Sequence, residues 1–214
     1  MNAPKHDPVQ IHTTLSKLER AAHARGPAKA RVVQNQRLKA QLRPSKGGGD
    51  FYAPAVAAVR EGLLARNVPD AMRALLRQCT SAQHEHFREF TDGMLALLEE
   101  HHVVGAVRVP RRAWHHQDLA VTPYGLLGVR LASGEVQAWR LHKGADPLHQ
   151  QDAAIPLHIV NAIFYNHAIE MTGVVVDVRR AAVFDITNEA QRAEARLLAE
   201  TEAREYVTLW RDAA

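Results

Sequence analysis

At Val103 the chain changes its hydrophobic period. Before it, apolar side chains recur at helical spacing, as in Phe87, Phe90, Met94, Leu97 and Leu98. After it come short β-branched or alternating runs at 103–109, 114–122, 125–131 and 135–142. Pro110 and Pro123 close the first two runs, because proline cannot donate to a strand ladder. Ala132-Ser133-Gly134 suits a hairpin between the last two. A mostly apolar helix follows at 152–172 and stops at Gly173. Val174 to Val178 reads as a strand, with a further short strand at 183–186. Asn188 and Gln191 have the spacing of a capping box for a closing helix that reaches about Trp210. The predicted fold class is α+β, with a helical N-terminal part and then a central mixed β-sheet of about four to five strands flanked by helices.

Ahead of this core, the pattern predicts helices at 9–25 and 28–43, separated by Gly26-Pro27. Pro44-Ser45-Lys46-Gly47-Gly48-Gly49 reads as a flexible linker. The chain therefore divides into a basic helical arm and Gly-rich linker at 1–49 and an α+β core at 50–214. The core is helical over 50–102 and sheet-containing over 103–214. Asp50 is placed to N-cap a helix at 51–66, and helices at 70–79 and 82–102 complete the helical part. Charge follows the same division. Residues 1–50 hold ten Lys/Arg against three acids, whereas the remainder holds 17 basic and 20 acidic residues. An excess of positive charge confined to one segment points to a polyanion or an acidic partner.

Several classes are excluded or disfavoured by composition. A single cysteine, Cys79, rules out a disulfide within the chain and a zinc site built mainly from thiolates. No signal-peptide pattern and no run long enough to span a bilayer are visible, so a cytoplasmic protein without a membrane partner is expected. No Gly-x-Ser-x-Gly, phosphate-loop or dinucleotide glycine pattern occurs. The thirteen histidines include His84, His86, His101, His102, His115 and His116, but neighbours at i+1 or i+2 do not share a helix face. No metal site is predicted from them. His158 and His167 fall on the apolar helix and read as core histidines.

From about residue 82 the predicted order is helix, three or four strands ending in a hairpin, helix, strand, helix. This order resembles the core of the PD-(D/E)XK restriction-endonuclease-like superfamily over roughly residues 82–186. The resemblance implies an acid in the second core strand and an acid-x-lysine motif in the third, holding a divalent cation at the scissile phosphate. Asp118 matches the first acid. The third strand departs from the motif: Gln137 and Trp139, or Leu141 and Lys143, occupy the acid and lysine positions. A copy without the second carboxylate binds hard cations poorly, so the resemblance implies a degenerate nuclease-like core.

Three functions are compatible with this pattern. The first is a nucleic-acid-associated protein, non-catalytic or weakly catalytic, that contacts phosphates through Lys29, Arg31, Arg37, Lys39 and Arg43 of the arm and through Arg111 and Arg112 beside Trp114. The second is a protein-interaction component, in a larger complex or as a homodimer. The third is a metal-dependent nuclease using Asp118 with acids such as Glu135, Glu89 or Asp177. No cofactor is expected except Mg2+ under the third reading.

Overall fold

The computed structural model describes residues 10–41, 50–167 and 169–213. The linker at 44–49 and Arg43 lie outside them. The described residues form an α+β fold with helices on both sides of mixed sheets. Strand β1 (Ile11–Thr14) leads into α1 (Leu15–His23) and α2 (Pro27–Gln41), then α3 (Ala53–Leu64), α4 (Val68–Gln78) and α5 (Ser81–Glu100). The sheet-forming part contains β2 (Val103–Val107), β3 (Trp114–His116), β4 (Leu119–Thr122), β5 (Leu127–Leu131) and β6 (Val136–His142). Helix α6 (Gln150–Asn166), β7 (Thr172–Asp177), β8 (Ala182–Phe184) and α7 (Glu189–Asp212) complete it.

A five-stranded sheet runs in the order β2-β5-β6-β7-β8. Strands β2, β5 and β6 are an antiparallel meander, while β7 lies parallel to β6, with His142 opposite Asp177 at their C-terminal ends. Within the five-stranded sheet, the crossover between the parallel strands β6 and β7 passes through α6, as a parallel pair requires. The pleat divides β6 between two cores. Ala138 joins the cluster built with α1, α6 and α7, and Trp139 and Leu141 join the cluster built with α3, α4 and α5. Gly93 brings α5 against the turn after β7, because a Cβ there would lie 1.7 Å from the Val178 carbonyl oxygen.

Two expectations are corrected. The run at 114–122 is a tight hairpin, since Gln117 adopts φ 49° and turns the chain between β3 and β4. The segment before the linker is not a detached arm. Ile11 to Thr14 pair in parallel with Leu119 to Thr122 to make a second sheet, β1-β4-β3. The Thr14 hydroxyl caps α1 by accepting from the Lys17 amide, and that cap is why the helix begins at Leu15. Leu15, Leu18, Ala21 and Val33 are buried with Trp114, Ile163 and Tyr206. At about 25 cal/mol per Å² of apolar surface, each large side chain buried this way contributes roughly 1.5–3 kcal/mol. Residues 10–41 therefore belong to the folded body.

Candidate nucleic-acid interface

Residues 10–41 contain seven basic side chains against the single acid Glu19, and the fold sorts them. Lys29 is turned inward. Its side chain is 8% exposed, and Nζ lies 2.7 Å from Glu202 Oε2 and 2.6 Å from Glu205 Oε2. Burial would lower the Lys29 pKa, but hydrogen bonds and charge from Glu202 and Glu205 hold it above the ordinary lysine value. The expectation that Lys29 contacts phosphate is thereby corrected. Arg37 is half-buried and donates to the Trp210 carbonyl at 2.5 Å, tying α2 to α7. Arg31 and Lys39 remain exposed on the outer side of α2, with Lys17 and Arg20 on α1 and Arg25 in the connecting turn. Among the described residues none of these five has an ion-pair partner.

Arg108, Arg111 and Arg112 are exposed in the connection between β2 and β3, and they too lack ion-pair partners among the described residues. Trp114, which pairs with Val121, is 5% exposed and belongs to the core. It cannot stack a base beside those arginines. Val121 pairs on its other side with Thr13, so the Arg111–Arg112 end of β3 is the end of the sheet from which α1 departs.

The candidate acids are held apart. Asp118 sits in the β3–β4 turn, paired with Arg211 of α7. Glu135 sits in the β5–β6 turn of the other sheet and accepts from Gln137. Asp177 is buried, with its carboxylate taken by the Leu148 amide and Arg180. Among the described residues no group of three or more His, Cys, Asp or Glu side chains is arranged to hold a metal ion. Gln137 and Trp139, in the acid and lysine slots of β6, bond to each other at 2.8 Å.

A second polar constellation was not legible in the sequence. At the C-terminal ends of β6 and β7, on the α3–α5 side, Lys143 and Arg179 converge on Tyr52. Lys143 Nζ lies 5.5 Å from the Tyr52 ring centroid and pairs with Asp50. Arg179 donates to the Tyr52 hydroxyl at 3.2 Å, meets His86 Nδ1 at 3.0 Å and pairs with Glu89 at 2.7 Å. Asp50 does not occupy the N-cap of α3, which is Tyr52; its carboxylate accepts instead from the Tyr52 amide. Burial would raise the Asp50 pKa, but Lys143, the Tyr52 amide and the Arg140 charge outweigh it and hold the carboxyl below its ordinary range.

On the other side of the same strand ends, a cleft of about 390 Å³ lies between α1 and α6. Glu19, Asp146 and Asp152 line it, and the arginine in its lining, Arg140, is already bound to Glu19 at 2.6 Å. An acid-rich lining of this kind repels phosphate. Among the described residues no helix is long and apolar enough to cross a membrane. A comparison with protein-family models finds no match, and one with curated proteins finds none either.

Proposed function

We propose that the protein binds nucleic acid through phosphate contacts from the α1–α2 hairpin and the Arg108–Arg112 connection, independently of base sequence. The observation that carries this reading is the set of five exposed cations, Lys17, Arg20, Arg25, Arg31 and Lys39, without ion-pair partners among the described residues. Cations without a protein counter-charge release condensed counterions when they meet a phosphate backbone, and that release drives association. Helices already packed on the core, through Leu18 and Val33, add no ordering cost on binding. A degenerate nuclease-like core is part of the same reading. It is supported by the order α5, β2, β5, β6, α6, β7 of the elements that build the five-stranded sheet, with β7 parallel to β6; β3 and β4 are inserted between β2 and β5 and carry Asp118 off that sheet, so its second strand, β5, has no acid. It is supported also by the lack of an acid-x-lysine motif on β6.

The test is a fluorescence anisotropy titration of labelled duplex DNA and duplex RNA. The five hairpin cations alone, at about −0.9 each in the salt slope, predict that affinity falls at least roughly 500-fold between about 50 and 200 mM salt, and contacts from the Arg108–Arg112 connection steepen the fall further. Absence of binding at the lower salt refutes the reading. Light scattering on the same samples separates it from a protein-interaction role, in which a stable dimer or larger assembly forms without nucleic acid.

A further inference from the structure

Lys143 and Arg179 are fixed parts of the protein wall, with side chains 18% and 17% exposed. Their carboxylate partners are the outer layer: Asp50 is 51% exposed and Glu89 40%. An anion arriving from solvent meets the carboxylates first and can exchange with them, whereas the cations stay in place. Beside this pair stands Phe51, an aromatic ring that is 44% exposed yet held in position. It makes edge contacts with Tyr52 at 5.0 Å, Phe87 at 5.3 Å and His86 at 5.7 Å. An anchored, solvent-facing ring next to two fixed cations is the combination a single nucleic-acid strand requires, because every base offers a face to stack and every step offers a phosphate. A duplex keeps its base faces covered and cannot use such a ring. Arg140 links this place to the basic hairpin: it bonds Ser16 and Glu19 of α1, and its charge also acts on Asp50.

We propose that Phe51, Lys143 and Arg179 form a single-strand site, in which a base stacks on Phe51 and the adjoining phosphate replaces the Asp50 carboxylate on Lys143. This inference rests on the nucleic-acid reading above and assigns it a second, structurally separate contact. The bulk of Asp50 and the loss of its pairing oppose binding, so removing that charge strengthens the site.

The experiment compares a labelled oligothymidylate, an oligouridylate and a duplex of equal length with the full chain and its variants, by anisotropy. Phe51→Ala is expected to weaken both single strands by about 5- to 150-fold, the worth of one stacked base, and to leave the duplex unchanged. Phe51→Trp keeps the single-strand affinity and adds an indole whose emission is quenched as the strand binds. Asp50→Asn is expected to strengthen single-strand binding roughly two- to fivefold, the worth of one unmasked surface ion pair. A gain confined to the single strands, with duplex affinity unchanged, separates the site from a general rise in positive charge. Single-strand affinity that ignores Phe51→Ala, or that falls in Asp50→Asn, overturns the site. The site is equally overturned if Phe51→Ala disperses a dimer without changing strand affinity, since the ring is then a contact between copies. Duplex binding that persists through those failures leaves the hairpin reading standing; no binding of any strand overturns both.

Discussion

Lys29→Met removes a buried ammonium and keeps most of the side-chain volume. Lys29 and Glu202 are 8% and 9% exposed, and Glu205, about half exposed, shares the same ammonium. Without Lys29, Glu202 is left charged and buried beside a second carboxylate. Breaking a buried pair by deleting one partner costs about 3–5 kcal/mol. Glu205 can turn to solvent, which places the expected cost near the lower figure, about 3 kcal/mol, or a fall of roughly 6–12 °C in Tm for a chain of this size. The assay is urea unfolding followed by circular dichroism at pH 7 and pH 5. Burial pushes the Glu202 carboxyl up, and Lys29 only partly offsets this. A carboxyl raised in the folded state loses stability as pH climbs above its ordinary value, so acidification protonates Glu202 and narrows the variant's deficit. Lys29→Met combined with Glu202→Gln recovers much of the loss. A cost below about 1 kcal/mol, or a deficit that widens on acidification, refutes the buried triad.

Two further predictions concern the same core. Tyr206 donates to Gln36 Oε1 at 2.8 Å and meets Thr13 Oγ1 at 3.1 Å, and burial pushes its phenol up to about 12. Tyr206→Phe is expected to cost about 1–3 kcal/mol in urea unfolding at pH 7, because Gln36 loses its donor in a buried setting, and to remove the alkaline loss of stability that begins above pH 10. Burial of His158 on α6, where its ring meets Trp114 edge-on at 5.9 Å, lowers its pKa from 6.5, with Glu200 partly opposing the shift. A depressed histidine contributes stability that is present above pH 6.5 and lost as pH falls through the lowered value. His158→Gln should flatten that acid limb in a series of urea midpoints.

The change of period at Val103 made the α+β class legible, and α3, α4, α5 and α7 fall close to their expected spans. Helix α6 ends at Asn166 instead of Thr172, because Thr172 and Gly173 already pair with β6 as the start of β7; His167, expected in the core, is exposed at the helix C-cap. What escaped the sequence has specific causes. Strand β1 is only four residues long, and its apolar positions also fit a helical face with Leu15 and Leu18, so nothing local separates Ile11–Thr14 from α1. The β3–β4 turn depends on a positive φ at Gln117, a residue type that does not announce a turn. Lys29 looked like any other cation of a basic segment, because its partners Glu202 and Glu205 lie more than 170 residues away in the chain. Leu64, at an apolar position of its helix, is 69% exposed. The Tyr52 constellation joins residues from α5, the segment before α3, and the ends of two strands. Only the parallel pairing of β6 with β7 brings Lys143 and Arg179 together, and no spacing in the sequence encodes it.

The most direct measurement is the salt slope of duplex binding for the intact chain and for a variant carrying Lys17→Gln, Arg20→Gln, Arg31→Gln and Lys39→Gln. All four side chains are exposed and make no ion pair among the described residues, so stability should be little changed. With about −0.9 per phosphate contact, the slope of log affinity against log salt should flatten by about 3 to 4. An unchanged slope would contradict the assignment of the α1–α2 hairpin as the phosphate-binding surface.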